Sequence, residues 1–420
     1  MRLVLTCTSM RNKNVLLRNF NMRAVKAALF GALCRWLPLR DWLNYYRDTI
    51  ALAEVAEPGT LRTLEIHPVR DYGLEFAEPE LRDVLKCTAA EMDALTLRFV
   101  TARVRDATIL GSSGVTVDET AGRVVGLGTG EGGVGRNWLV ARPLRAVAGD
   151  PAATCVNLLG VRKGHRHFAH FFWDTMVPLM VYLKTWRDPA ERVVFLVRED
   201  LSAIQRDAFR FLAEDFPGIA FETLRANERM RCATVDWLMY DNPNHGRDNT
   251  LARDYLRMVA DLFLRHYGIG PAAQGQGRRI YVSRGDAVLR RVKNEAEIND
   301  MLRRYGFESY ETGRMRFEDQ AALFASAEIV VAPHGAGLAN LMFCAPGIPV
   351  LEFFPANYID DGLARLSRSF GLDYHYLLGG QGSLPKLAYS MDVARLEEAV
   401  RTKLDRRAAK VAATEQRGAR

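Results

Sequence analysis

The residues best suited to chemistry lie in one short turn, Pro333-His334-Gly335-Ala336-Gly337, which ends an apolar, β-branched run starting at Ile329. This pattern predicts a buried strand that leads through a small-residue turn into a helix. The first amides of a helix have no intrahelical acceptor and lie at the positive end of its dipole, which suits a phosphate group. Two glycines remove Cβ atoms that would block close approach. The turn therefore predicts a site for a phosphorylated or nucleotide ligand, with an imidazole at its entrance.

Two further turns should open onto the same sheet edge, because ligands of open α/β sheets lie outside the carboxyl ends of the strands. Ser283 and Arg284 follow one apolar run and could hold a diphosphate, with the arginine as a forked donor. Glu352 closes another run and could accept hydrogen bonds from ribose hydroxyls, or be a buried carboxylate satisfied locally. The basic residues of 290–293 either extend the phosphate site or form a solvated loop.

A second constellation lies on a long apolar helix, where His167, His170 and Asp174 are spaced to share one face. Ionisable groups on an apolar helix need partners or a cavity. A His–Asp pair one turn apart fixes the imidazole tautomer and raises its basicity, which suits a general base that takes a proton from a hydroxyl. The alternatives are a buried structural pair between domains and, with His165, a metal site of unconvincing spacing.

Other signatures are absent or unsupported in the sequence. Gly128, Gly130 and Gly133 match the dinucleotide-binding spacing, but no helical pattern follows them, so we interpret 126–135 as a loop. The chain has no Walker lysine motif, no G-x-S-x-G elbow and no D-x-D triplet. The sequence thus offers no obvious carboxylate pair for a magnesium–diphosphate complex.

The elements that must position these residues alternate between strand and helix from about residue 165 onward, which is typical of parallel α/β sheets. Residues 41–105 suggest mixed helices and loops, and 107–127 suggest β-hairpins. The glycine-rich stretch 268–277 is the best linker, so two α/β halves should face each other across a cleft. The predicted units are a basic extension (1–60), an α/β domain with a β-hairpin insert (61–268), a Rossmann-like domain (278–385) and a charged helix or tail (386–420).

Charge and cysteine content narrow the class of protein. Residues 1–40 hold eight of the 57 basic residues and no acidic one, while the rest, with 49 basic and 50 acidic residues, is close to neutral. The high pI therefore indicates no nucleic-acid groove, and the basic start is either a helix on an anionic membrane surface or an ordinary packed helix or tail. The six cysteines are scattered, which favours a reducing compartment. We expect a cytoplasmic protein, with peripheral contact at the inner face of the membrane as one option.

Taken together, the motifs resemble glycosyltransferase family 61, the family of capsular-polysaccharide-type glycosyltransferases. The resemblance covers about 160–356 and rests on Tyr281–Arg284, Arg291–Glu295, Val330–Leu338 with Asn340, and Val350–Phe353. The helix around His170 and Asp174 resembles the family's upstream aromatic-histidine helix. This chain departs from it with His167 where Asn is frequent and Ala169 where an aromatic residue is usual.

The resemblance implies a GT-B fold, which has two Rossmann-like domains. The second domain would bind a nucleotide-sugar donor, and a glycan or glycolipid acceptor would lie beside the first. It implies an inverting, metal-independent transfer, without a cofactor, in surface polysaccharide synthesis. The implied donor-side residues are Ser283, Arg284, Asn294, His334, Gly335, Ala336, Gly337 and Glu352, and the implied cleft residues are His170 and Asp174. The alternatives are a nucleotide-sugar epimerase or hydrolase on the same scaffold, and a non-catalytic binding factor that assists assembly.

Overall fold

The computed structural model describes residues 45–46, 49–66, 97–111, 114–120, 122–126, 138–139, 144–159, 167–241, 252–270 and 277–418. The expectations placed on 1–40, on most of the 126–135 loop and on the centre of the 268–277 linker lie outside these residues. Two large sheets carry the fold. The strands of the first half are β1 (Tyr45–Tyr46), β2 (Thr49–Ala51), β3 (Arg62–Ile66), β4 (Leu97–Leu110), β5 (Val115–Asp118), β6 (Arg123–Gly126), β7 (Trp138–Leu139), β8 (Arg145–Ala148), β9 (Thr154–Asn157), β10 (Val193–Val197), β11 (Ile219–Thr223) and β12 (Glu228–Asp241).

The first sheet is mixed, with ten strands in the order β11-β10-β9-β12-β4-β5-β6-β2, while β3 pairs with β4 and β8 with β12. Strands β9 to β12 run parallel, whereas β4, β5 and β6 continue as an antiparallel meander. Every residue of β10 is buried, as expected of a strand covered on both faces of a parallel sheet. The expectation of helices over 41–105 was wrong for the described part, where β-strands dominate and the only helix is α1 (Leu52–Val55).

The second half contains a parallel sheet of five strands in the order β14-β13-β15-β16-β17. These strands are β13 (Arg278–Val282), β14 (Phe307–Tyr310), β15 (Ala327–Pro333), β16 (Pro349–Phe354) and β17 (Asp373–Leu378). Parallel strands require crossover connections, and helices supply them. The chain is thus a mixed α/β protein, as its sequence pattern predicts.

The helices are distributed over both halves. Residues 168–186 form one continuous helix, α2, in which Phe171–Met176 and Tyr182–Trp186 have π-helical turns. The others are α3 (Ala203–Asp215), α4 (Arg253–His266), α5 (Glu295–Arg304), α6 (Phe317–Ala325), α7 (Gly362–Ser369) and α8 (Val393–Gly418), with 3-10 turns at Thr312–Arg314 and Ala336–Phe343. Among the described residues no helix is both long enough and apolar enough to cross a bilayer.

Side chains alternate between the two faces of the second sheet. On the outer face, Ile329, Val331 and Leu351 pack with α5 and with Leu396 and Val400 of α8, so the predicted charged tail is a packed layer for at least its first turns. On the inner face, Val330, Ala332 and Val350 join a core that includes α6, the 336–343 turn and α7. The same core continues without interruption into α2, α4 and β10 of the first half. The two halves therefore share an extensive apolar contact.

Candidate functional site

The strand order of the second sheet fixes where a ligand can bind. Numbered within this sheet, the spatial order is 2-1-3-4-5, so the direction of winding reverses between β13 and β15. In such sheets the ligand crevice lies outside the carboxyl ends of the two strands at the reversal point. Residues 283–285 follow β13 and residues 334–337 follow β15. The structure therefore brings two of the predicted turns to one crevice.

The 334–337 turn presents free backbone donors. The His334 amide donates to the Phe353 carbonyl, and the Leu338 amide donates to the Gly335 carbonyl. Between them, the amides of Gly335, Ala336 and Gly337 donate to no described residue. The helix that follows is a 3-10 helix, Ala336–Phe343, where the sequence predicts a helix without specifying its type. Its tighter turns still leave the first amides without intrahelical acceptors, which suits an anion.

Arg284 lies directly against this turn. A Cβ added at Gly335 would collide with the Arg284 guanidinium, so the glycine is required by the arginine rather than only by a ligand. The guanidinium donates to the Leu289 carbonyl at 2.8 Å, while its buried Nε donates to nothing. No described carboxylate forms an ion pair with it. Burial lowers the pKa of Arg284 below its ordinary value, and the positive charge of Arg290 lowers it further.

Arg290 adds a second guanidinium to the crevice. Its backbone is left-handed, with φ of 56°, and its amide donates to the Lys386 carbonyl at 2.7 Å. The guanidinium lies 4.7 Å from the centre of the Tyr358 ring, which in turn packs against the His334 imidazole. The Nε of Arg290 is also buried without a partner. Two partly buried arginines that form no ion pair with a described carboxylate, beside three amides without a described acceptor, form a site that an anion would complete.

Glu295, at the start of α5, holds the Ser283–Arg284 turn in place. Its Oε1 accepts from the Tyr281 hydroxyl at 3.0 Å, the Ser283 hydroxyl at 2.9 Å and the Arg284 amide at 3.2 Å. Ser283 therefore shapes the loop, and its Oγ also accepts from the Gly285 amide. Glu295 was not predicted from the sequence as a site residue. An acidic residue in the first turn of a helix after a basic loop was the available signal.

Asn294 does not lie free for a ligand. Its side-chain amide donates to the Met391 carbonyl at 2.9 Å and accepts from the Met391 amide at 3.0 Å. This two-way bond ties the start of α5 to the segment before α8. Donor binding by Asn294 stays a prediction, and the role that the structure shows is this bond to the backbone of Met391.

Glu352 is fully buried and supports His334. One carboxylate oxygen lies 2.6 Å from His334 Nδ1, and the other accepts from the Tyr374 hydroxyl at 2.6 Å. Burial, with the adjacent charge of Glu352, raises the pKa of Tyr374 well above its ordinary value. A contact between Glu352 and a ribose stays a prediction, and the role that the structure shows is the support of His334. A carboxylate at Nδ1 leaves Nε2 of His334 for a ligand.

The second histidine–carboxylate pair lies on α2. His170 Nδ1 is 2.7 Å from Asp174 Oδ2, and the imidazole is partly exposed while the Asp174 side chain is 5% exposed. The other oxygen of Asp174 is buried without a hydrogen bond. His167 packs its ring edge-on against His170 at 4.6 Å. The first turn of α2, which contains His170, contacts the 336–343 segment that follows the crevice turn.

A metal site needs several ligating side chains close together. Within the described part of the chain, no group of three or more His, Cys, Asp or Glu side chains is arranged to hold a metal ion.

The chain was matched to curated proteins, solved structures and family models. No curated protein matches the chain. Among solved structures, a mutant of the flavo di-iron protein from Thermotoga maritima aligns with 83% of this chain and 96% of its own, at 11% identity and a TM-score of 0.25, which is too low to support any argument. The family model Glycosyltransferase 61 matches residues 168–351, a range that includes His170 and His334. This match supports a family 61 glycosyltransferase, and the family indicates a glycosyltransferase enzyme.

Proposed function

We propose that the protein is an inverting glycosyltransferase that moves a sugar from a nucleotide-sugar donor to a hydroxyl of a glycan or glycolipid acceptor, without a metal ion. The observation that carries this proposal is the crevice after β13 and β15. Two partly buried arginines, Arg284 and Arg290, lie there with the amides of 335–337, which donate to no described residue, and neither arginine forms an ion pair with a described carboxylate. A nucleoside diphosphate supplies the missing anion in the required extended shape.

The leaving group explains why these donors matter for rate as well as for binding. As the bond between the sugar carbon C1 and the diphosphate oxygen breaks, negative charge develops on the diphosphate. Fixed hydrogen-bond donors that face this charge lower the free energy of the transition state without having to reorganise. A site shielded from water strengthens each of these interactions. In a metal-independent transfer, Arg284, Arg290 and the 335–337 amides supply the positive field that a divalent cation supplies elsewhere.

The His170–Asp174 pair is suited to activate the acceptor. With Asp174 accepting from Nδ1–H, Nε2 of His170 carries the free electron pair and takes the proton of the acceptor hydroxyl. The hydroxyl oxygen then bonds to C1 from the face opposite the diphosphate, so the anomeric configuration inverts. His334, fixed by Glu352, lies on the diphosphate side and donates from Nε2 to a donor oxygen when it is protonated.

A GT-B-like assignment of roles fits this chemistry. The second sheet would hold the donor, and the first half, through α2, would present the base and the acceptor. Surface polysaccharide synthesis is the biological setting that we propose, on the basis of the family resemblance.

Thermal unfolding with a panel of nucleoside diphosphates and nucleotide sugars tests the proposal. A ligand at about one hundred times its Kd should add about 2.7 kcal/mol to the free energy of unfolding. Arg284→Gln should remove that gain, whereas Arg303→Gln, on the exposed side of α5, should retain it. If no nucleotide stabilises the wild-type protein, or if both variants respond equally, the donor site is not where we propose.

A further inference from the structure

The rim of the crevice carries exposed aliphatic side chains. Four large apolar side chains are strongly exposed among the described residues, and three of them lie here: Val288 is 67% exposed, Leu289 47% and Leu384 82%. The fourth, Leu61, lies in the first half. Scattered apolar residues need no explanation, but three on neighbouring loops form a patch that marks an interaction surface.

Two loops present these side chains as one unit. Backbone hydrogen bonds join the loop after β13 (283–293) to the loop after β17 (379–390). The Arg290 amide donates to the Lys386 carbonyl, the Tyr389 amide to the Arg291 carbonyl, and the Lys293 amide to the Tyr389 carbonyl. Both loops follow carboxyl ends of the parallel sheet, so they lie on the same edge as the donor crevice. We call this surface the rim patch.

The charge of the rim patch is strongly positive. Its two loops contain five basic residues and one acidic residue, Asp286. Arg284 and Arg290 turn into the crevice, whereas Arg291, Lys293 and Lys386 are exposed. The three exposed cations form no ion pair with any described residue. Aliphatic tips surrounded by unpaired cations match the boundary of a bilayer that contains anionic lipid.

We propose that the rim patch docks the protein on an anionic lipid surface, with Val288 and Leu384 entering the headgroup boundary. The proposal commits to lipid because the exposed side chains are aliphatic, whereas a protein surface able to pair with this patch would have to be acidic. Docking at this edge orients the crevice toward the membrane, where a lipid-linked acceptor would be found. The docking itself does not depend on the proposed sugar transfer.

Vesicle co-sedimentation of the full chain tests the docking. The probes are vesicles of phosphatidylcholine alone and of phosphatidylcholine mixed with phosphatidylglycerol. Val288→Ser/Leu384→Ser removes the aliphatic tips, and Arg291→Gln/Lys386→Gln removes two exposed charges. Leu61→Ser is the matched control for an exposed aliphatic side chain. We expect each double variant to bind anionic vesicles about tenfold more weakly than wild type. Leu61→Ser should bind as wild type does, and neutral vesicles should bind all of them weakly.

Wild-type affinity in both double variants would overturn the proposal, since vesicle binding would then come from another segment, such as 1–40. Loss of self-association instead of lipid binding would also overturn it and identify a second copy of the chain as the occupant. If a double variant melts early, its two single variants are measured instead, and weaker binding by each supports the proposal. Stabilisation by nucleoside diphosphate is recorded for every variant, so failure of the donor site is seen separately.

Discussion

At the scale of single residues, the site is organised around positive charge that no described carboxylate neutralises by an ion pair. Arg284 and Arg290 each bury an Nε that has no acceptor, an arrangement that costs free energy unless a ligand completes it. Their neighbours act mainly as supports: Glu295 fixes the Arg284 turn and Glu352 fixes His334. The carboxylates of this site therefore position the cationic and imidazole groups.

Gly335→Ala should disturb donor binding as strongly as loss of the arginine. The backbone at 335 is extended and accepts any residue, but the new methyl group would displace the Arg284 guanidinium. Losing charge-assisted hydrogen bonds worth about 1.5–3 kcal/mol should raise the Kd for the nucleoside diphosphate about 10- to 100-fold. Calorimetric titration measures this, and Gly270→Ala, which meets no neighbouring atom, is the control. An unchanged Kd in Gly335→Ala would contradict the position given to Arg284.

His170 and Asp174 should behave as one catalytic unit. Asp174→Asn leaves the shape but favours the wrong imidazole tautomer, so we expect the rate of sugar transfer to fall by about 10²–10⁴ with the fold intact. The rate of the His170→Ala variant should fall by a similar factor, and the double variant should be no slower than the slower single variant. Release of nucleoside diphosphate in the presence of acceptor measures the rate. Multiplicative losses, or full activity in Asp174→Asn, would argue that the pair is structural.

The sequence could identify the motifs of the site but not all their partners. Arg284, His334 and the 335–337 amides were predicted because strand ends and glycines mark them in the sequence. Tyr358 and Tyr374 were not, because they contact Arg290 and Glu352 from loops and strands far along the chain. Glu352 was predicted either to bind a ribose or to be a locally satisfied buried carboxylate, because a sequence does not reveal which groups surround it.

At the scale of elements, the second sheet was predicted closely and the first was not. The strands of the second sheet appear in the sequence as short, continuous apolar runs between helices, which is why the alternation was predicted there. In the first half, β4 and β12 pair over their length at 14 residues each, a long-range contact that no local pattern encodes. Residues 336–343 were predicted as a helix without a type, because small apolar residues fit both the α-helix and the observed 3-10 helix.

A salt-bridge network that joins β4 to β12 and to the turn before β10 provides a pH-dependent test. Arg103 bonds Asp236 at 2.8 Å and Glu191 at 2.6 Å, and Tyr182 also donates to Asp236. The hydrogen bond from Arg103 holds the pKa of Glu191 below its usual 4.5. Its stabilising contribution is therefore present above that pH and is lost as the pH falls through the folded-state pKa.

Arg103→Gln should accordingly cost about 1.5–3 kcal/mol of unfolding free energy at neutral pH. The difference from wild type should stay constant between about pH 6 and 8, and shrink below about pH 4.5 as Glu191 takes up a proton. Urea unfolding across this range measures it, with Arg210→Gln as the control, because the ion pairs of Arg210 with Asp207 and Glu214 lie at the surface. A difference that grows toward acid would contradict the network.

At the scale of the whole molecule, the shared core implies that the halves unfold together. All six tryptophans of the chain precede residue 278, so tryptophan fluorescence reports only on the first half. The donor, in contrast, is proposed to bind the second sheet. Because one apolar core joins both, a nucleoside diphosphate should raise the melting temperature seen by tryptophan as much as that seen by circular dichroism. Two separate transitions, with only one responding to the nucleotide, would show that the halves are thermodynamically independent.

The position of a bound nucleoside diphosphate tests the central claim most directly. In a crystal structure of the complex, we predict that the diphosphate oxygens accept hydrogen bonds from the amides of 335–337 and from the Arg284 guanidinium, at about 2.7–3.1 Å. Arg290 should close over the same group from its place on Tyr358. A diphosphate bound at the carboxyl edge of the first sheet, with the crevice after β13 and β15 left empty, would contradict the account.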